Sequence, residues 1–175
     1  LDKLFPRSKW LGKYNLTYLD PDDNHIVDAI SGSCMLIKES IFRKINGFDE
    51  RFFVYSEEVD FSYRAFMKGK KSIFFSEFSI FHLGGGSSSK IKAKRMFYNL
   101  RSKLIYAKLH FKKITFIIFF FMVIFVEPFT RFSKSFLSRK LSEIKETFVA
   151  FLLLYRWILK MINNYLSIIL KNLLY

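Results

Sequence analysis

The chain has 175 residues, 51% apolar and 19% aromatic, enough to build one domain around its own core. A single cysteine, Cys34, excludes a disulfide framework and suits a reducing compartment. The net charge of +14 is one-sided: residues 1–89 hold 12 basic and 12 acidic side chains, whereas residues 90–175 hold 17 and 3. That second half also carries the longest apolar run, so an anionic membrane surface fits as a partner. Nucleic acid does not, because its binders space aromatics among basic residues as stacking platforms.

In chain order, residues 1–26 read as irregular, with Asp20 to Asn24 (DPDDN) a turn-rich loop. HIVDAISGSCMLIKES then predicts a strand, a Ser-Gly-Ser break and a second short strand, Cys34 to Ile37. KESIFRKINGF predicts a short helix with Ile41, Phe42 and Ile45 on one face, ended by Gly47. A second helix follows, with Ser56 as N-cap, Glu57, Glu58 and Asp60 in the first turn, and Val59, Tyr63, Phe66 and Met67 as its apolar face. Gly69 stops it. KSIFF and FSIFH are short strand candidates, and GGGSSS (Gly84 to Ser89) is a flexible loop. This mixed order is an α/β pattern.

The character changes at Lys90. From Lys90 to Lys113 there are nine basic residues and no acid, interleaved with apolar ones, a basic amphipathic helix pattern. Ile114 to Val126 is apolar except for Thr115. A membrane span needs about 20 apolar residues, so this run, ended by Glu127-Pro128, predicts an interfacial or short inserted helix. Phe148 to Leu170 predicts a last amphipathic helix, lying on the membrane or packed against the previous one.

Two readings of the acids after Tyr55 stand side by side. Carboxylates at a helix start complement the macrodipole, and Asp60 can pair with Arg64 at i+4. Alternatively, one of them removes a proton from an incoming hydroxyl, and crowding raises the pKa of at least one member. His82, closing an apolar stretch, is either a packed or solvent-edge histidine or a metal ligand. GGGSSS lacks the GxxxxGK[ST] phosphate-loop pattern and reads as a plain loop. His25 and His110 read as surface residues.

The joint order of these elements resembles the acceptor-side half of family 2 glycosyltransferases, particularly the bacterial rhamnosyltransferase-like group. The matching stretches are Ser31-Gly32-Ser33-Cys34-Met35-Leu36-Ile37-Lys38, Gly47-Phe48-Asp49-Glu50-Arg51-Phe52-Phe53, Tyr55 to Arg64 (YSEEVDFSYR), and His82 with Gly84 to Ser88. They lie within residues 10–110. The resemblance implies an α/β fold class: the C-terminal half of a GT-A fold at residues 1–89, followed at 90–175 by a basic, apolar, membrane-associated helical tail. It implies inverting transfer from a nucleotide-diphospho-sugar to a hydroxyl of a glycan or lipid-linked acceptor in cell-surface polysaccharide synthesis, with a divalent metal, Mg2+ or Mn2+. Glu58 stands where the family has its catalytic Asp. Glu57 and Asp60 would orient the acceptor or hold the loop, with Arg64 bracing the helix through Asp60. Ser31 and Gly32 would line the acceptor side, and His82 would help bind the metal or diphosphate. The family's N-terminal nucleotide-binding half has no counterpart here. With Leu1 as first residue, the expectation is a C-terminal fragment whose other half is a separate or missing chain, placed on the cytoplasmic face of the membrane. The alternative is an inactive remnant that acts only as a membrane-associated or interaction protein.

Overall fold

The two helical signals of the first half fold where their spacing puts them. A computed structural model describes residues 8, 16, 18–81 and 91–174. Helix α1 spans Glu39–Lys44 and α2 spans Glu57–Met67. Both end in left-handed glycines, Gly47 at φ +64 and Gly69 at φ +71, a conformation glycine adopts at little cost. At Gly47 a side chain is excluded twice over, since an added Cβ would lie 3.0 Å from the Phe42 ring. Strand β1, His25–Val27, pairs antiparallel with β2, Ser72–Phe74, in the register Ile26 opposite Ile73. Asn24 latches the far end of the pairing: its Oδ1 accepts from the Ser76 N–H at 2.9 Å and the Ser76 hydroxyl at 3.3 Å. The Asp20–Asn24 stretch is the turn its composition predicts, with the Asp22 N–H donating to Asp20 Oδ1 at 3.0 Å.

Among the described residues the architecture is mostly helical with this one two-stranded sheet, so fewer of the strands read from the sequence form than its α/β pattern predicts. Cys34 to Ile37 forms no strand. Its alternation is real: Met35 and Ile37 are half-buried against a core of Ile45, Phe61 and Ala65, while Cys34 and Leu36 are exposed. Among the described residues no strand pairs with it. Phe78 to Phe81, the described part of FSIFH, is likewise not a strand. His82 and the GGGSSS loop lie outside the described residues.

The chain forms two compact units, Leu1–Asp49 with Glu57–Leu83, and Glu50–Ser56 with Gly84–Tyr175. The second unit is helical: α3 (Lys92–His110), α4 (Lys113–Phe121), a π-helical turn (Met122–Val126), α5 (Glu127–Leu137) and α6 (Leu141–Leu174). α6 packs against α3 and α5. Its core joins Leu100 and Leu104 of α3, Val123 and Ile124 of the π turn, and Phe151 and Leu154 of α6. The Glu50–Ser56 segment is fastened to α3, with the Ser102 hydroxyl donating to the Val54 carbonyl at 2.8 Å and Phe53 against Tyr98 at 4.9 Å.

Glu127-Pro128 does not end the apolar helix, contrary to the sequence expectation. Helix runs unbroken from Lys113 to Leu137, 25 residues with a mean hydropathy of 1.9 in its most apolar window. Among the described residues this is the one helix long and apolar enough to cross a membrane. Three features let it pass the obstacle. Pro128 sits directly after the π turn, where the regular bonding register is already interrupted. The Ile124 carbonyl, four residues before the proline, accepts from the Tyr155 hydroxyl at 2.9 Å. Glu127 and Arg131 neutralise each other at 2.6 Å. Tyr155→Phe is therefore expected to cost about 1 kcal/mol, read as a lower melting midpoint of the helical signal. An unchanged midpoint would mean that the carbonyl has another partner.

Candidate functional site

α2 begins abruptly. Tyr55 and Ser56 are both left-handed, at φ +68 and +67, a strained pair for residues that carry side chains. Ser56 is therefore not the extended N-cap expected of it. The three acids that follow separate into two environments.

Asp60 is structural. Its side chain is 1% exposed and accepts from Arg64 Nε at 2.7 Å. The same guanidinium donates through Nη1 to the Ile45 carbonyl at 2.6 Å and through Nη2 to the Gly47 carbonyl at 2.8 Å. It also lies 5.7 Å from the Phe61 ring, which packs with Phe42 and Phe48. The planar fork of arginine thus ties the first turn of α2 to the C-terminal turn of α1. The brace expected of Arg64 through Asp60 is present, and it reaches further than one helix.

Glu58 is different. Its Oε2 is buried with no hydrogen-bond partner, as is Oε2 of Glu57. Burial raises the Glu58 pKa; a backbone hydrogen bond opposes this, and the neighbouring Glu57 charge adds to it. A carboxylate that is buried and incompletely bonded is poised to take up a proton. Gly32 stands beside it: a Cβ added there would be in van der Waals contact with Glu58 Cβ at 3.8 Å. Ser31 is exposed in the same turn, its hydroxyl 3.0 Å from that of Ser33. The first unit therefore gathers Gly32, Glu57 and Glu58, and assigns Asp60 and Arg64 to the framework that holds α2 in place.

Among the described residues no three His, Cys, Asp or Glu side chains come together as a metal site. These residues do not by themselves make up the donor set of a divalent ion. His82, the metal residue that the family resemblance implied, lies outside them.

The second unit holds a cavity of about 670 Å3 lined in part by Lys92, Arg95, Arg131 and Lys134. Sequence reasoning singled out none of these. Each is one of many basic residues, and they converge only when α3 and α5, far apart in the chain, pack around α6.

With this geometry in place, the comparisons with known proteins bear on it directly. An N-acetylglucosaminyl-diphospho-decaprenol L-rhamnosyltransferase of Mycobacterium tuberculosis is 31% identical over 106 residues, 61% of this chain and 34% of that protein. The chain is a relative of family 2 glycosyltransferases. Rhamnosyltransferase WbbL of Escherichia coli is 30% identical over 81 residues, 46% of this chain and 31% of that protein. A low-salt glycan biosynthesis hexosyltransferase of Haloferax volcanii is 54% identical over 39 residues, 22% of this chain and 13% of that protein. The chain spans about a third or less of the length of these curated transferases. No family model matches the chain. No solved structure matches it.

Proposed function

We propose that this chain is the acceptor-side part of an inverting glycosyltransferase, with Glu58 as general base. In that reaction Glu58 takes the proton of an acceptor hydroxyl as the oxygen attacks the anomeric carbon of a nucleotide-diphospho-sugar. The bond from that carbon to the diphosphate breaks, and the nucleotide leaves with the electron pair. The observation that carries the reading is the half-buried Glu58 carboxylate beside Gly32, whose Oε2 is inaccessible and has no hydrogen-bond partner, in a chain whose relatives are named rhamnosyltransferases and hexosyltransferases. Glu57 raises the proton affinity of the base, and Gly32 with Ser31 leaves room for a sugar.

The donor-binding half belongs, on this reading, to polypeptide beyond the stretch that matches the relatives. Support comes from the apolar surface of the first unit: Ile26, Phe66, Phe75, Phe78 and Phe81 are all more than half exposed, and a two-stranded sheet is marginal by itself. The divalent metal, Mg2+ or Mn2+, is assigned to that half. The acceptor is a cell-surface glycan precursor, soluble or lipid-linked, and the long apolar helix holds the enzyme to the cytoplasmic face of the membrane. Co-expression with the donor-binding half of a family 2 relative provides the test. Sugar transfer from a labelled nucleotide-sugar to a polyprenyl-linked acceptor is expected only when both halves are present. A stable complex of the halves that transfers nothing would leave the remnant reading in its place.

A further inference from the structure

Helix α5 has two opposed faces. Arg131, Lys134 and Ser135 line the 670 Å3 cavity, together with Lys92, Arg95 and Asn99 of α3 and Glu143, Glu146 and Thr147 of α6. Phe129, Phe132, Phe136 and Leu137 line an apolar groove on the other side. α5 is also the end of the helix whose Ile114, Ile117, Phe121 and Phe125 are exposed. The cavity thus sits where an apolar stretch of helix gives way to a charged one, the pattern that suits a lipid headgroup.

Its charge is unbalanced. Arg131 is held by Glu127 at 2.6 Å, Lys92 lies 3.8 Å from Glu146, and Glu143 is engaged by Lys140 at 3.1 Å. Arg95 and Lys134 form no ion pair among the described residues, and both line the cavity. Two uncompensated cations from different helices, with Tyr55 and Asn99 as neutral donors on the wall, match a phosphate-rich anion.

We propose that this cavity binds the phosphate groups of a lipid-borne diphosphate, with Arg95 and Lys134 as its principal cations. The diphosphate chemistry could be met by a soluble anion, but the apolar face of α5 and the exposed helix leading to it favour a lipid as its source. The choice of a polyprenyl lipid rests on the transferase reading above. The binding itself does not, so loss of transfer with intact lipid binding counts against Glu58 and not against the cavity.

The test is partition of the full chain into phosphatidylcholine vesicles doped with polyprenyl diphosphate. Arg95→Gln/Lys134→Gln is expected to weaken partition about tenfold, whereas Lys108→Gln/Lys160→Gln, two exposed cations outside the cavity, should change it about twofold or less. Equal losses for the two pairs would reduce the effect to general charge and overturn the proposal. Lys134 is exposed, so Lys134→Gln alone guards against misfolding; it should give an intermediate loss, and no loss overturns the proposal. Isothermal titration with inorganic pyrophosphate separates the sources. If the cavity pair abolishes pyrophosphate binding yet leaves vesicle partition unchanged, the site serves a soluble diphosphate and the lipid assignment falls.

Discussion

Glu58→Gln is expected to lower sugar transfer by the assembled enzyme about 100- to 10,000-fold, the usual contribution of a positioned general base, while the fold stays intact. Glutamine keeps the shape of the side chain but cannot accept the acceptor's proton. Glu58→Asp, the residue the family carries at this place, should retain far more transfer than the glutamine variant, although its shorter reach misplaces the base. The same substitution has a signature in stability. Because the Glu58 pKa is raised in the folded chain, the folded state binds more protons than the unfolded state between the ordinary carboxylate value and the raised one. Glu58 therefore makes stability fall as pH rises through that window, and the glutamine variant should lack this slope and be the more stable above it. Transfer rates and urea midpoints across mildly acidic to neutral pH check both statements. Undiminished transfer by Glu58→Gln would move the base elsewhere.

Arg64→Ala should be the most damaging single change to the first unit, at about 3 to 5 kcal/mol. It removes the cation beside a nearly inaccessible carboxylate: Asp60 keeps its burial and loses Arg64, and the Ile45 and Gly47 carbonyls lose their donors. Arg64→Lys should recover only part of this, because an ammonium cannot reach three acceptors with fixed planar geometry. Asp60→Asn/Arg64→Ala should be less destabilised than the two single changes added together, since the buried carboxylate that Arg64 neutralises is gone as well. Urea unfolding of the three variants provides the measurement. A midpoint for Arg64→Ala equal to that of the parent chain would show that the clamp does not hold α2.

Local signals were legible where local chemistry decides. The stop at Gly47 is written in the need for a left-handed residue without a side chain, and the start of α2 in its acids. The period of two at Cys34 to Ile37 identified which side chains turn inward, but whether such a segment becomes a strand depends on a neighbour that no nearby residue encodes. Pro128 was misread for a related reason. A proline ends a helix unless its neighbours find other donors, and Tyr155, which donates to the Ile124 carbonyl, lies far along the chain. The acids after Tyr55 could not be sorted from sequence, because what separates Asp60 from Glu58 is Arg64's reach to another helix in one case and Gly32's missing side chain in the other. The cavity cations were invisible singly, as members of a basic crowd.

Tyr55-Ser56 and Glu57 are consecutive in sequence yet belong to different units, as do Asp49 and Glu50. The chain leaves its first unit and returns to it within seven residues. No single cut can then excise either body whole. A protease nick in that short excursion would sever Ile45 and Gly47 from Arg64, and the base-bearing helix would part from the turn that holds it even if every residue of the first unit remained.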